Sequence, residues 1–168
     1  LYLLDENYRD LLPTLMTSYL AATEDSNPTA QALNRYFGEG AKEPAKQVLP
    51  FSSERKYGAV AFENGKTLYL GSPENLLQPS QIPSIIHHYQ ESGLRILLIA
   101  LTSDGILEQP KDLMPIAFLT LSDPIRANAK DTLNFLTEQG VELKIISGDN
   151  PKTVSAIAEK AGFADYQK

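Results

Sequence analysis

The sequence predicts an α+β domain, an antiparallel sheet flanked by helices, followed by part of an α/β domain. The apolar period changes from 3.6 to 2 near residue 46, which indicates that helices precede a set of strands. After residue 121 the order becomes helix, strand, loop and helix, as in one segment of a doubly wound sheet. One such strand cannot form a sheet, so residues 122–168 should be only part of a domain. The predicted domains are therefore residues 1–121 and 122–168.

Two helices are expected before the strands. Apolar residues recur at spacings of three and four over residues 8–20, so the first helix should begin near Leu11 with Asp10 as its cap. The second should begin at the proline after Asn27, which can cap it, and should end at Gly38.

Alternation and turn residues predict the sheet. The expected strands are residues 46–51, 57–62, 67–71, 94–101 and 116–121. Asn64 and Gly65 favour a two-residue hairpin because both positions tolerate positive φ. A helix over residues 83–91 should precede the last two strands, which read as buried on both faces. In the second domain, a helix starting at residues 122–124, a strand at 141–146 and a helix from Pro151 are expected.

Composition excludes several functions. Acidic residues outnumber basic ones by 21 to 15, and the net charge of -6 argues against a sequence-independent nucleic-acid binder. Cysteine is absent, so disulfides and thiolate metal sites are impossible. The apolar run at residues 94–101 is far shorter than the ~20 residues of a membrane helix, so we expect no direct membrane contact. No metal site is predicted, since His87 and His88 are adjacent and point about 100° apart on a helix.

Three features could carry chemistry. Residues 147–150 (SGDN) join a strand to a helix, where amide groups attract phosphate, although Asp149 or Asn150 there could be simply a cap. Residues 51–56 (FSSERK) could stack a base on Phe51 and hold phosphate with the final lysine, or form a solvated turn. Arg95 interrupts an apolar run and needs an anionic partner, either a carboxylate or a ligand.

Five stretches resemble, in their order and spacing, the cytoplasmic part of P-type cation-transporting ATPases. Residues 51–56 are similar to the motif whose phenylalanine stacks on adenine and whose lysine lies near the nucleotide. Residues 70–74 (LGSPE) are similar to the Lys-Gly-Ala-Pro-Glu motif, and residues 93–95 (GLR) to the strand with a phosphate-contacting arginine. Residues 123–126 (DPIR) are similar to the hinge between nucleotide-binding and phosphorylation domains. Residues 147–151 (SGDNP) are similar to the Thr-Gly-Asp motif of the phosphorylation site.

The resemblance implies a site in each domain. Its nucleotide-binding residues would be Phe51, Lys56, Gly71, Arg95 and Asp123, its hinge Asp123, Pro124 and Arg126, and its catalytic loop Ser147, Gly148 and Asp149. It further implies a haloacid-dehalogenase-like second domain, ATP and Mg²⁺ as cofactors, and a cytoplasmic position in an integral protein of the cell membrane. The partners would be ATP and the membrane and actuator domains of the pump. We also expect Arg95 to face the nucleotide cleft and to approach Asp123.

The sequence departs from the family pattern at two polar contacts, where it has Ala30 and Leu70. It also lacks the Asp-Lys-Thr-Gly-Thr segment and the Gly-Asp-Gly metal motif, so the phosphorylated aspartate should lie outside this chain and the chain alone should be inactive. Two alternatives remain open. A haloacid-dehalogenase-like phosphatase with a large cap would need its own nucleophile, for which Asp5 is a poor candidate because Asn7 replaces the second carboxylate. The other alternative is a non-enzymatic nucleotide-binding module.

Overall fold

A computed structural model of the chain describes residues 1–107, 109–122 and 124–163. The chain divides into two compact units, each described by itself. The first contains Leu1–Ile82 and Leu97–Leu119, and the second contains Pro83–Ile96 and Thr120–Lys168. The predicted assignment of functional domains to residues 1–121 and 122–168 stays a prediction.

Within the described residues, six strands form one sheet, and the predicted combination of an antiparallel sheet with helices is confirmed. The strands are β1 (Tyr2–Leu3), β2 (Ala45–Leu49), β3 (Tyr57–Phe62), β4 (Thr67–Gly71), β5 (Arg95–Thr102) and β6 (Met114–Leu121). Their order is β1-β6-β5-β4-β3-β2. The pairs β1–β6, β2–β3, β3–β4 and β4–β5 are antiparallel. The predicted hairpin joins β3 to β4, and the Asn64 side chain accepts a hydrogen bond from the Lys66 amide at 2.9 Å.

The first unit has two long helices, α1 (Leu12–Thr23) and α2 (Pro28–Phe37), and the short α3 (Pro73–Leu76). Asn27 caps α2 by accepting from the Ala30 amide at 2.9 Å, and Gly38 ends it, as predicted. The prediction that Asp10 caps α1 is wrong. Leu11 holds the N-cap position with helical φ and ψ, whereas a capping side chain needs an extended residue directly before the first turn.

The core of the first unit lies between one face of the sheet and the two long helices. Its sheet residues include Val60, Phe62, Leu68, Leu70, Ile99 and Leu101, and its helical residues include Leu12, Leu15, Met16, Tyr19 and Leu33. Burying each such large apolar side chain contributes about 1.5–3 kcal/mol, so this layer fixes the positions of the strand ends. Leu70 is therefore a core residue at 7% exposure, and Ala30 of α2 is also buried at 5%.

The second unit contains α4 (Ser84–Glu91), α5 (Ala129–Glu138) and α6 (Pro151–Ala161). Helix α6 packs on the turn after α4. The Thr153 hydroxyl donates to the Leu94 carbonyl at 3.3 Å, and an added Cβ at Gly93 would lie 3.4 Å from Ala156 Cβ. The Lys152 ammonium lies 2.6 Å from a Glu91 carboxylate oxygen. These contacts fix the start of α6 beside the start of β5.

Two predictions for the second unit are wrong. Helix α5 begins at Ala129 rather than at residues 122–124, since its first turn closes only where the Thr132 amide donates to the Asn128 carbonyl at 3.0 Å. Residues 141–146 form no strand, and Ile146 is 97% exposed. A strand needs a neighbour for its amide and carbonyl groups, and apolar composition alone does not supply one. None of the described helices is both long enough and apolar enough to cross a bilayer.

Candidate functional site

Phe51 follows the end of β2 and is an exposed aromatic residue. The predicted strand 46–51 is too long at this end, because β2 stops at Leu49 and Pro50 has no N–H for the ladder. The Phe51 side chain is 46% exposed, whereas the β3 residues that follow the loop are buried. An exposed ring beside a buried sheet is available to stack on a planar ligand.

The loop after Phe51 is a tight turn organised by Ser52. The Ser52 hydroxyl accepts from the amides of Glu54 and Arg55 at 3.2 and 3.3 Å, and the Ser52 carbonyl accepts from the Lys56 amide at 2.7 Å. Lys56 has φ of +63°, a conformation unusual for a residue with a Cβ. The turn places the half-buried Lys56 side chain next to the start of β3.

Gly71 ends β4 directly opposite Tyr57, the first residue of β3. An added Cβ at Gly71 would overlap Tyr57 Cβ and lie 2.5 Å from the Lys56 carbonyl oxygen. The same carbonyl accepts from the Ser72 amide at 2.9 Å. The close approach of the two backbones thus explains the glycine without a ligand. The structure brings Lys56 and Gly71 together, and Phe51 lies at the same end of the adjoining strands.

Arg55 belongs to this loop and was missed as a functional candidate. Its Nη2 donates to the Pro50 carbonyl at 2.6 Å, and its guanidinium carbon lies 6.0 Å from the centre of the Tyr57 ring. Its Nε is buried and has no hydrogen-bond partner within the part of the chain that the structure describes. The sequence signal was only a cation between two β-strands, which is too common to identify such a contact.

The second unit carries the loop of residues 147–150. The Asn150 side chain caps α6 by accepting from the Lys152 amide at 2.9 Å. The Ser147 hydroxyl accepts from the Asp149 amide at 3.2 Å, and Gly148 is exposed between them. Of the two residues considered as caps, Asn150 therefore fills that role. The Asp149 carboxylate is therefore not needed as the cap of α6 and can interact with another group.

The Asp149 carboxylate lies 3.7 Å from Arg95 Nε. Both side chains are partly exposed, at 45% and 39%, so this ion pair contributes at most about 1 kcal/mol. The expected anionic partner of Arg95 is thus a carboxylate of the same unit. Asp123 lies outside the described residues, so the approach of Arg95 to it stays a prediction. Pro124 and Arg126 of the predicted hinge are exposed before α5.

Asp5 has a structural role. Its Oδ1 accepts from the Asn7 amide at 3.0 Å and from Asn7 Nδ2 at 2.9 Å, which caps a short 3₁₀ turn. Among the described residues, no group of three or more histidine, aspartate or glutamate side chains could hold a metal ion. This geometry supports neither a nucleophile nor a metal centre at Asp5.

Comparisons with known proteins agree with the sequence motifs. A family model described as haloacid dehalogenase-like hydrolase matches residues 3–167. The probable cation-transporting ATPase exp7 of Streptococcus pneumoniae is 46% identical over 97% of this chain and 21% of its own length. The calcium-transporting ATPase CtpE of Mycobacterium bovis is 30% identical over 94% of this chain and 20% of its own length. A potassium-transporting ATPase ATP-binding subunit of Rhizobium meliloti is 26% identical over 88% of this chain and 22% of its own length.

The chain spans about a fifth of the length of each of these curated relatives. The family model covers nearly the whole chain. The chain therefore belongs to the haloacid dehalogenase-like hydrolase family, and its resemblance to the P-type cation-transporting ATPases is confirmed.

Proposed function

We propose that this chain is the nucleotide-binding part of an ATP-driven cation-transporting P-type ATPase, together with part of its phosphorylation domain. In the whole pump it binds ATP and presents the γ-phosphate to an aspartate outside this chain. The observation that carries the proposal is the meeting of Phe51, Lys56 and Gly71 at one end of β2, β3 and β4. The exposed ring and the adjacent cation fit a nucleotide, which has a flat base and an anionic chain.

Each site residue then has a physical role. Phe51 stacks on the adenine, and the Lys56 ammonium attracts the phosphates. Gly71 allows β4 to approach Lys56 closely enough for the hydrogen bond between the Ser72 amide and the Lys56 carbonyl. Because Ala30 and Leu70 are buried and apolar, they offer no side-chain hydrogen bonds to the base. We therefore expect weak binding, with Kd between about 100 μM and the millimolar range.

The resemblance to the P-type ATPases also assigns roles to residues of the second unit. Asp149, with Ser147 and Gly148, lines the phosphorylation site, and Arg95 and Asp123 contact the nucleotide. Pro124 and Arg126 belong to the hinge. Catalysis by these residues is positioning and charge stabilisation, because the acceptor aspartate lies elsewhere in the pump.

ATP-dependent phosphoryl transfer uses Mg²⁺ to neutralise phosphate charge. The described residues contain no cluster of three or more ligating side chains, and the loop of residues 147–150 offers the single carboxylate of Asp149. The Mg²⁺ ligands of the pump should therefore lie mostly outside this chain.

The proposal includes partners and a location. The chain works with the membrane and actuator domains of the pump, on the cytoplasmic side of the cell membrane. The relatives are named for different ions, one for calcium and another for potassium. Ion selectivity depends on polar groups within membrane-spanning helices, and the described residues include no such helix.

The test is an amide-shift titration of the chain with ATP and with AMP. Stacking of a base on an aromatic ring contributes ~1–3 kcal/mol, so Phe51→Ala should weaken binding by about tenfold or more. Tyr36→Ala is the matched control, because Tyr36 is an aromatic residue of the same unit with 61% exposure. It should bind like the wild type. If folded Phe51→Ala binds as tightly as the wild type, or if the wild type does not bind ATP, the proposed site is wrong.

A further inference from the structure

We infer that Arg55 is a positioning residue that holds the Phe51 ring in the orientation needed for stacking on the base. The inference rests on the proposed function and deepens it, because it adds a residue to the same site. Arg55 has no assigned role in the nucleotide-binding set deduced from the motifs. Its role follows from the hydrogen bonds that hold the backbone before and after Phe51.

Both flanks of Phe51 are fixed by hydrogen bonds from the end of the loop. Arg55 Nη2 donates to the Pro50 carbonyl at 2.6 Å, and this carbonyl belongs to the peptide group that precedes Phe51. The Lys56 amide donates to the Ser52 carbonyl at 2.7 Å, one residue beyond Phe51. Phe51 is 46% exposed, so packing against neighbouring side chains restrains it only in part. The backbone held by Arg55 and Lys56 fixes the direction of the Cα–Cβ bond from which the ring extends.

Arg55 is in turn anchored to the sheet. Its guanidinium carbon lies 6.0 Å from the centre of the Tyr57 ring, and Tyr57 is 5% exposed at the start of β3. The Arg55 amide donates to the Ser52 hydroxyl at 3.3 Å, which fixes the backbone from which the side chain extends. The Arg55 side chain therefore links the Pro50 carbonyl to the start of β3.

Stability alone does not explain an arginine at this position. Arg55 Nε is buried without a hydrogen-bond partner among the described residues, and an unsatisfied buried donor is unfavourable. A methionine has similar length and would avoid this cost while it loses the bond to Pro50. Removal of the guanidinium should therefore change nucleotide binding more than it changes stability. If Arg55 had a purely structural role, its replacement would change stability more than nucleotide binding.

The experiment compares Arg55→Met and Arg55→Lys with the wild type in the ATP titration. Arg55→Met should weaken binding about fivefold, since residues that are linked through one hydrogen bond are often coupled to this extent. Arg55→Lys should lose less, because an ammonium can still donate to one carbonyl. The thermal midpoint of Arg55→Met should stay within about 3 °C of the wild type. Arg9→Met is the matched control, since Arg9 is an exposed arginine of the same unit, and it should bind like the wild type.

A double-mutant cycle with Phe51→Ala tests whether Arg55 acts through Phe51. In the Phe51→Ala background, Arg55→Met should cause little further loss of affinity. An equal loss in both backgrounds would mean that Arg55 contacts the nucleotide directly, and would overturn the inference. Wild-type affinity in Arg55→Met, or a loss explained by unfolding, would overturn it as well.

A ligand-free measurement separates this inference from the proposed function. The backbone order parameter of Phe51 should fall from about 0.85 in the wild type to below about 0.6 in Arg55→Met. An unchanged value would refute the positioning role even if ATP binds. The wild type could fail to bind ATP while the order parameter of Phe51 still falls in Arg55→Met. In that case the proposed function is wrong, and Arg55 restrains Phe51 for a reason other than nucleotide binding.

Discussion

Replacing Gly71 with alanine should destabilise the first unit through a clash between two strands. The added Cβ would overlap Tyr57 Cβ and lie 2.5 Å from the Lys56 carbonyl oxygen and 2.6 Å from Tyr57 Cα. Two of these three atoms belong to the backbone, so a side-chain rotation cannot relieve the contact. Strands β3 and β4 would have to separate, which would also stretch the 2.9 Å hydrogen bond from Ser72 to Lys56.

The size of the effect follows from these contacts. Overpacking typically costs ~1–3 kcal/mol, and backbone neighbours put Gly71→Ala toward the upper end of that range. The loss of backbone freedom in the unfolded chain offsets this by roughly 0.4–1 kcal/mol. The net loss should be about 2 kcal/mol. For a chain of 168 residues this corresponds to a fall of about 4–8 °C in the thermal midpoint.

Thermal unfolding followed by circular dichroism measures this loss. Gly40→Ala is the matched control, because its Cβ would meet only Thr17 atoms at 3.5–4.0 Å. That variant should unfold within about 2 °C of the wild type. A Gly71→Ala midpoint as high as that of Gly40→Ala would refute the reasoning, and would leave ligand contact as the remaining explanation for the glycine.

Three further predictions concern catalysis, charge and pH. The chain alone, incubated with labelled ATP and Mg²⁺, should form no acid-stable phosphoenzyme and release no phosphate above background, because the proposed function places the acceptor aspartate elsewhere in the pump. Turnover that copurifies with the chain would favour the phosphatase alternative. Lys56→Ala should weaken ATP binding less than Phe51→Ala does, and the difference from wild type should shrink as salt screens the charge of the half-buried Lys56. A salt-independent loss would argue against a charge contact. The hydrogen bond and charge of Lys152 lower the pKa of Glu91 in the folded state. The pair therefore stabilises the folded state at pH values above the pKa of Glu91 in the unfolded chain, and this contribution is lost as the pH falls through the lower pKa of the folded state. Glu91→Gln should therefore show a smaller drop in thermal midpoint between about pH 6 and pH 3 than the wild type, and an identical drop would contradict the assignment.

Local sequence signals determined those elements whose ends depend on neighbouring residues. Asn27 and Gly38 fixed the limits of α2, and Asn64-Gly65 fixed the hairpin, because caps and tight turns satisfy backbone groups within a few residues. The motif at residues 51–56 likewise identifies Phe51 and Lys56 as candidates by residue type and order alone. Their position at the same end of the sheet as Gly71 depends on the antiparallel pairing of β3 with β4.

Tertiary structure decided what depends on distant partners. Residues 141–146 have the composition of a strand, yet they form none, because a strand exists only where another supplies hydrogen bonds. Strand β1 was not predicted, since Tyr2 and Leu3 become a strand only by pairing with Phe118 and Ala117 of β6. The ion pair of Arg95 with Asp149 joins residues far apart in the chain. Sequence patterns indicate what a side chain or a backbone group needs, and only the folded chain determines which partner meets that need.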